Sequence, residues 1–206
     1  MSERFMRERA PRQASQRGVA LIEVLITMAI LLIGLLGLAG VSNRASLTEM
    51  ESYQRIEAQQ LVADMADRIN ANRKVASCYS NGSTGVTLGG SSTAIPTCAT
   101  GSTQQQTQAA ADLAAWRNMI NGQAETDGTN KRGSMIGAVG CITLDSSATI
   151  AGNVVNTYMI AVSWQGLVRT AAPLKAGSAF PCGNGSYGDE TFHRVVTTKI
   201  QVGVLS

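Results

Sequence analysis

Histidine occurs once in this chain, at His193, and no two of its cysteines stand in a C-x-x-C pair. A zinc site built on the usual thiolate and imidazole spacings is therefore excluded. The sequence also has no G-x-S-x-G elbow, no Walker loop and no H-E-x-x-H, so the common hydrolase, nucleotide and metalloprotease signatures are missing. Charged residues make up only 15% and aromatics 4%, which speaks against a charged cytosolic enzyme and for a surface protein with polar loops. No proline lies between positions 12 and 95, so nothing in that span forces a helix to stop.

Positive charge is also missing where nucleic-acid binding would need it. Five arginines (4, 7, 9, 12 and 17) and only two glutamates fall within residues 1–18, while residues 19–206 carry equal numbers of acidic and basic groups. Clustered charge on a folded surface is the footprint of nucleic-acid binding, and the later part of the chain has none. We expect no nucleic-acid partner, no cofactor and no metal.

What is present is a long apolar run. From Val19 to Val41 there are 23 residues whose only polar side chains are Glu23 and Thr27. As a helix this run would extend roughly 35 Å, enough for a hydrocarbon core of about 30 Å. The basic segment before it sets the orientation by the positive-inside rule, with residues 1–18 cytoplasmic and the chain after Val41 across the membrane. Residues 1–18 read as a processing segment, and two cuts compete. A secretory signal would be cut near Ala39 to Ser42; the alternative cut falls after Gly18 and keeps the helix. The run exceeds the roughly 7–15 residues of a signal core, and such a core gains nothing from a carboxylate.

The stretch R-G-V-A-L-I-E-V-L at 17–25 resembles the class III signal of type IV pilins and pseudopilins. The resemblance implies that Gly18 ends a leader removed by a prepilin peptidase. It implies that Val19 becomes an N-methylated mature N-terminus, and that Glu23 is the motif's carboxylate. Val19 is a departure, since the family more often has Phe there. Physically, a charge inside an apolar helix costs a few kcal/mol unless paired. Cleavage creates an amine four residues before Glu23, and in staggered parallel helices one subunit's Glu23 would meet another's amine. The plain alternative is that Glu23 snorkels to the membrane surface.

Beyond Val41 the helix should run on to about Arg73, some 80 Å in all. Ala58, Leu61, Val62, Met65 and Ile69 form one apolar stripe, and Glu51/Arg55 and Asp64/Arg68 are spaced as i,i+4 ion pairs. Gly34, Gly37 and Gly40 would permit either local unwinding or close helix packing. Residues 77–108 read as a polar loop, 107–121 as a short helix burying Leu113, Trp116 and Ile120 with Gly122 past its end, and 122–133 as another polar loop. Met135–Leu144, Val154–Trp164 and Thr191–Val204 read as strands of an antiparallel meander.

Cys78, Cys98, Cys141 and Cys182 all follow the apolar run, and an even count on the oxidising side favours two disulfides. Of three connectivities, Cys78–Cys98 with Cys141–Cys182 is preferred, each bond enclosing one polar segment. The expected fold class is α+β. The resemblance makes it a pilin fold: a long N-terminal helix whose first half is transmembrane and whose second half packs on a small antiparallel sheet, with disulfide-stapled loops. The domains are then a leader at 1–18, a membrane and assembly helix at 19–41, and a periplasmic head at 42–206.

Within the family the chain is most similar to minor pilins of the PilV type, through D-L-A-A-W-R at 112–117, Y-M-I-A-V-S-W at 158–164 and the late cysteine loop. This implies a role in the complex that primes pilus assembly and sits at the tip. The implied partners are the prepilin peptidase, other minor pilins, the major pilin, a tip adhesin, and the inner membrane before assembly. A pseudopilin of a type II secretion system would share every N-terminal feature; an anchored periplasmic enzyme is the rival from another class. His193 has no motif around it, the glycines of Gly133–Gly140 lack the strand and helix of a phosphate loop, and Asp189-Glu190 read as a solvated turn.

Overall fold

The computed structural model describes residues 17–90, 92, 94–122, 126–127, 130–131, 135–150 and 152–203, with no side chains described at 17–20 or 123–134. The chain divides into two units between Ser46 and Leu47. Helix α1 runs without interruption over Arg17–Ala71, so the glycine-rich stretch at 34–40 does not unwind.

In the second unit a 3₁₀ turn at Arg73–Val75 follows α1 and leads to α2 (Ala76–Tyr79) and strand β1 (Val86–Gly89). Helix α3 (Thr103–Ile120) comes next, then the short strands β2 (Thr126–Asp127) and β3 (Asn130–Lys131). The sheet is completed by β4 (Ile136–Ile150), β5 (Asn153–Gln165) and β8 (His193–Gly203), with β6 (Leu174–Lys175) and β7 (Ser178–Ala179) as a small hairpin in the intervening loop. The main sheet has order β1-β4-β5-β8 and is antiparallel throughout. This is the α+β architecture that the resemblance implies.

One face of the sheet carries the core. Ala58, Leu61, Val62, Met65 and Ile69 of α1, with Leu113, Trp116 and Ile120 of α3, are buried together with Ile142, Tyr158, Ile160, Val162 and Trp164 of the strands. The even-numbered residues of β5 thus face the helices, as alternation requires. Trp116 is fully buried and its Nε1–H donates to the Leu61 carbonyl at 2.9 Å. Its ring packs against β4 at Gly140, where an added Cβ would come within 2.5 Å of the ring and 2.4 Å of Ile120 Cδ1.

Four expectations need correction. The expected polar loop at 77–108 contains β1, whose Val86 and Leu88 are buried and pair with β4; four residues with two apolar side chains are too few to show a period. Helix α3 starts at Thr103, not 107, because Ser102 and Gln105 form a reciprocal capping box that carries the polar Q-Q-Q run into the helix. Glu51 reaches across to Arg194 and the main chain of Leu167 and Val168, where an ion pair with Arg55 was expected. Within the expected loop at 122–133, Thr126–Asp127 and Asn130–Lys131 pair as a hairpin.

Candidate functional site

Arginine 17 opens α1, and Gly18 and Val19 lie in its helical backbone; residues 1–16 of the expected leader fall outside the described residues. The next turns are built from helix-compatible aliphatics with no proline, so the backbone pairs with itself and every side chain points outward. Fourteen large apolar side chains from Leu21 to Val41 are 53–73% exposed in the isolated chain. At about 25 cal/mol per Å² of apolar surface such a band is strongly unfavourable in water, and a run of this size marks a lipid or protein contact. The helix is long and apolar enough to cross a membrane.

Two polar groups interrupt the band. The Thr27 hydroxyl is satisfied on its own helix, donating to the Val24 carbonyl at 2.9 Å. Glu23 is exposed and has no hydrogen bond or ion pair among the described residues. Helical geometry places position 19 one turn before Glu23 on the same face, about 6 Å along the axis. A cut before Val19 would therefore create a cation at the one level of the band that carries an anion. A Cβ added at Gly34, Gly37 or Gly40 would meet nothing within 4 Å, which leaves a smooth strip suited to close helix contact.

The other sequence candidates have structural surroundings. His193 is buried, with Nδ1 2.7 Å from Glu190 Oε2 and its ring 5.1 Å from that of Tyr187. Glu190 also accepts the Gly185 N–H, and this bond, followed by the one to His193, holds its carboxyl below the usual carboxylate range. Asp189 caps the 3₁₀ turn at Glu190–Phe192 by accepting the Thr191 N–H, which lowers its pKa in the same way. The pair thus shapes the loop before β8. Met135–Gly140 leads into and forms β4 and makes no phosphate loop. Among the described residues no group of three or more His, Cys, Asp or Glu could hold a metal ion.

The bonded cysteine pairs are Cys78–Cys98 and Cys141–Cys182, with Cα separations of 5.2 and 5.9 Å. The second ties β4 to the loop between β5 and β8, and brings Phe180 and Cys182 onto Met159 and Ala161, on the sheet face away from the helices. Strand β5 is thereby covered on both faces.

Sequence reasoning missed two polar anchors of the head. Trp164 Nε1–H donates to the buried Gln54 at 3.1 Å. Asp112 is buried in α3, where it accepts the Tyr79 hydroxyl at 2.5 Å, Gln108 Nε2 at 2.9 Å and Arg68 Nη1 at 3.2 Å. Burial and the bond to Asp112 push the Tyr79 phenol well above its ordinary pKa. The D-L-A-A-W segment contained Asp112, but a carboxylate on a helix gives no sign of facing inward until its partners are in place.

Residues 13–39 match the family model described as the prokaryotic N-terminal methylation motif. No curated protein and no solved structure matches the chain.

Proposed function

We infer that this chain, which carries the class III methylation motif of type IV pilin-like proteins, is a structural minor pilin of a type IV pilus. The single observation that carries the reading is the coincidence of that motif with an exposed apolar helix holding one carboxylate without a partner among the described residues. In this reading a prepilin peptidase cuts between Gly18 and Val19 and methylates Val19. The helix waits in the inner membrane with the head in the periplasm, then leaves the bilayer for a bundle of parallel helices. Glu23 takes the N-terminal amine of a neighbouring subunit, which fixes axial register more than it adds stability. The later segments that resemble the PilV type support a place in the priming complex at the pilus tip, beside other minor pilins and a tip adhesin, and a structural role without an enzymatic one.

Intact mass of the protein extracted from membranes tests the reading. The expected result is loss of residues 1–18, one added methyl group and the loss of four hydrogens for two disulfides. A mature chain beginning near position 40, or free release into solution, would overturn it. A minor pseudopilin of a type II secretion system fits the same motif. A deletion strain distinguishes the two, by loss of twitching for the pilus and loss of exoprotein secretion for the pseudopilus.

A further inference from the structure

Between the 3₁₀ turn after α1 and the ends of β5 and β8 lies a pocket of about 220 Å³, lined among others by Arg73, Lys74, Ser77, Asn156, Tyr158 and Gly203. Among the described residues its charged lining is entirely cationic, with two basic residues and no carboxylate. Several other basic side chains of the head lie against acids: Arg68 with Asp64 and Asp112, Lys175 and Lys199 with Asp145, Arg194 with Glu51. Arg73 and Lys74 have no ion pair or hydrogen bond among the described residues and are exposed at the rim. Among the described residues, two adjacent cations thus border this cavity without an acid.

The floor supplies donors. Tyr158 is 2% exposed, and its hydroxyl oxygen accepts from Asn156 Nδ2 at 3.4 Å. Its own proton then has no acceptor among the described residues, and burial raises its pKa, so the group stays a donor at neutral pH. A buried hydroxyl without an acceptor is unfavourable. An oxyanion in the cavity would accept that proton while facing Arg73 and Lys74, whose charge-assisted bonds are the stronger kind. Ser77 also lines the cavity, and a Cβ at Gly203 would meet nothing within 4 Å.

We propose that this pocket binds a small oxyanionic group, carboxylate or phosphate, on a ligand no larger than a single sugar ring. The inference does not depend on the pilus reading, since none of the N-terminal segment takes part. The test is calorimetric titration of the full chain in neutral detergent micelles with glucuronate, inorganic phosphate and, as the uncharged control, glucose. The expected result is saturable, salt-sensitive binding of glucuronate, phosphate or both, with none for glucose. Binding of glucuronate alone assigns the pocket to a sugar acid, and binding of phosphate to a phosphorylated ligand. Arg73→Ala with Lys74→Ala should weaken binding at least about tenfold; both side chains are exposed, so the fold is not at stake. Tyr158→Phe should weaken it less, by the loss of one donor. Absence of saturable binding by either anion, equal binding of glucose, or undiminished binding by the double variant would each overturn the proposal.

Discussion

Asp112 accepts the Tyr79 hydroxyl at 2.5 Å in the interior of the head, joining α3 to the short helix that follows α1. Asn72 donates to the same hydroxyl oxygen at 3.3 Å and to the Gln105 carbonyl at 3.0 Å, so three segments meet on one phenol. Because the folded pKa of Tyr79 lies above its unfolded value of about 10, its contribution is fully present below pH 10 and is lost as pH rises toward the folded value. Tyr158 and Tyr187 are raised by burial as well, so head stability should decline at alkaline pH. Tyr79→Phe should lower stability at neutral pH by about 1–3 kcal/mol, since it leaves Asp112 short of a donor, and should flatten the alkaline decline without abolishing it. Denaturant midpoints across pH check both effects; an unchanged slope would contradict the assignment.

Gly140 is held small by what lies over it. Gly140→Ala should cost about 1–3 kcal/mol, because Trp116 and Ile120 would have to shift from a packed position. The indole reports directly: its fluorescence maximum should move as the bond to Leu61 is strained, while α1 keeps its helical signal. A stability equal to the parent chain would show that the α3–β4 contact is looser than described.

Replacing both members of the second disulfide, Cys141→Ser with Cys182→Ser, removes a cross-link spanning 41 residues. The expected loss is about 2–4 kcal/mol, with faster amide exchange around Phe180, which the bond holds against Met159 and Ala161. Exchange as slow as in the parent would mean that packing alone fixes this loop.

Glu23→Ala should be cleaved and methylated as before, since the leader and Gly18 are untouched, but should be recovered in filaments at least about tenfold less, the equivalent of losing about 1.4 kcal/mol of pairing. Immunoblots of sheared filaments against total membrane protein check this. Normal incorporation would leave Glu23 without its proposed partner.

The parts legible in the sequence are those with a period. Leu113, Trp116 and Ile120 repeat at helical spacing, and Tyr158, Ile160, Val162 and Trp164 alternate as a strand does, so the core faces could be read directly. Strand β1 could not, because Val86–Gly89 is only four residues long and owes its existence to the edge of β4. The partner of Glu51 was hidden for a related reason. Rules for i,i+4 pairs see one helix, whereas Arg194 lies 143 positions away in sequence. At the N-terminus the reverse holds: Gly18 and Glu23 are legible as a motif, while the partner proposed for Glu23 would have to come from another chain.

The segment between β5 and β8 is pinned at a few points: by Cys182 to β4, by Glu51 to Leu167 and Val168, and by Glu190 to Gly185 and His193. The β6–β7 turn between these anchors carries Ala176 and Gly177 in left-handed backbone, and a Cβ at Gly177 would touch nothing. Substitutions at Gly177 should leave these anchors intact, with the Lys175–Asp145 ion pair beside the turn as the contact most exposed to change. The head therefore possesses a place where its outward appearance can drift, or be labelled, while the scaffold underneath stays the same.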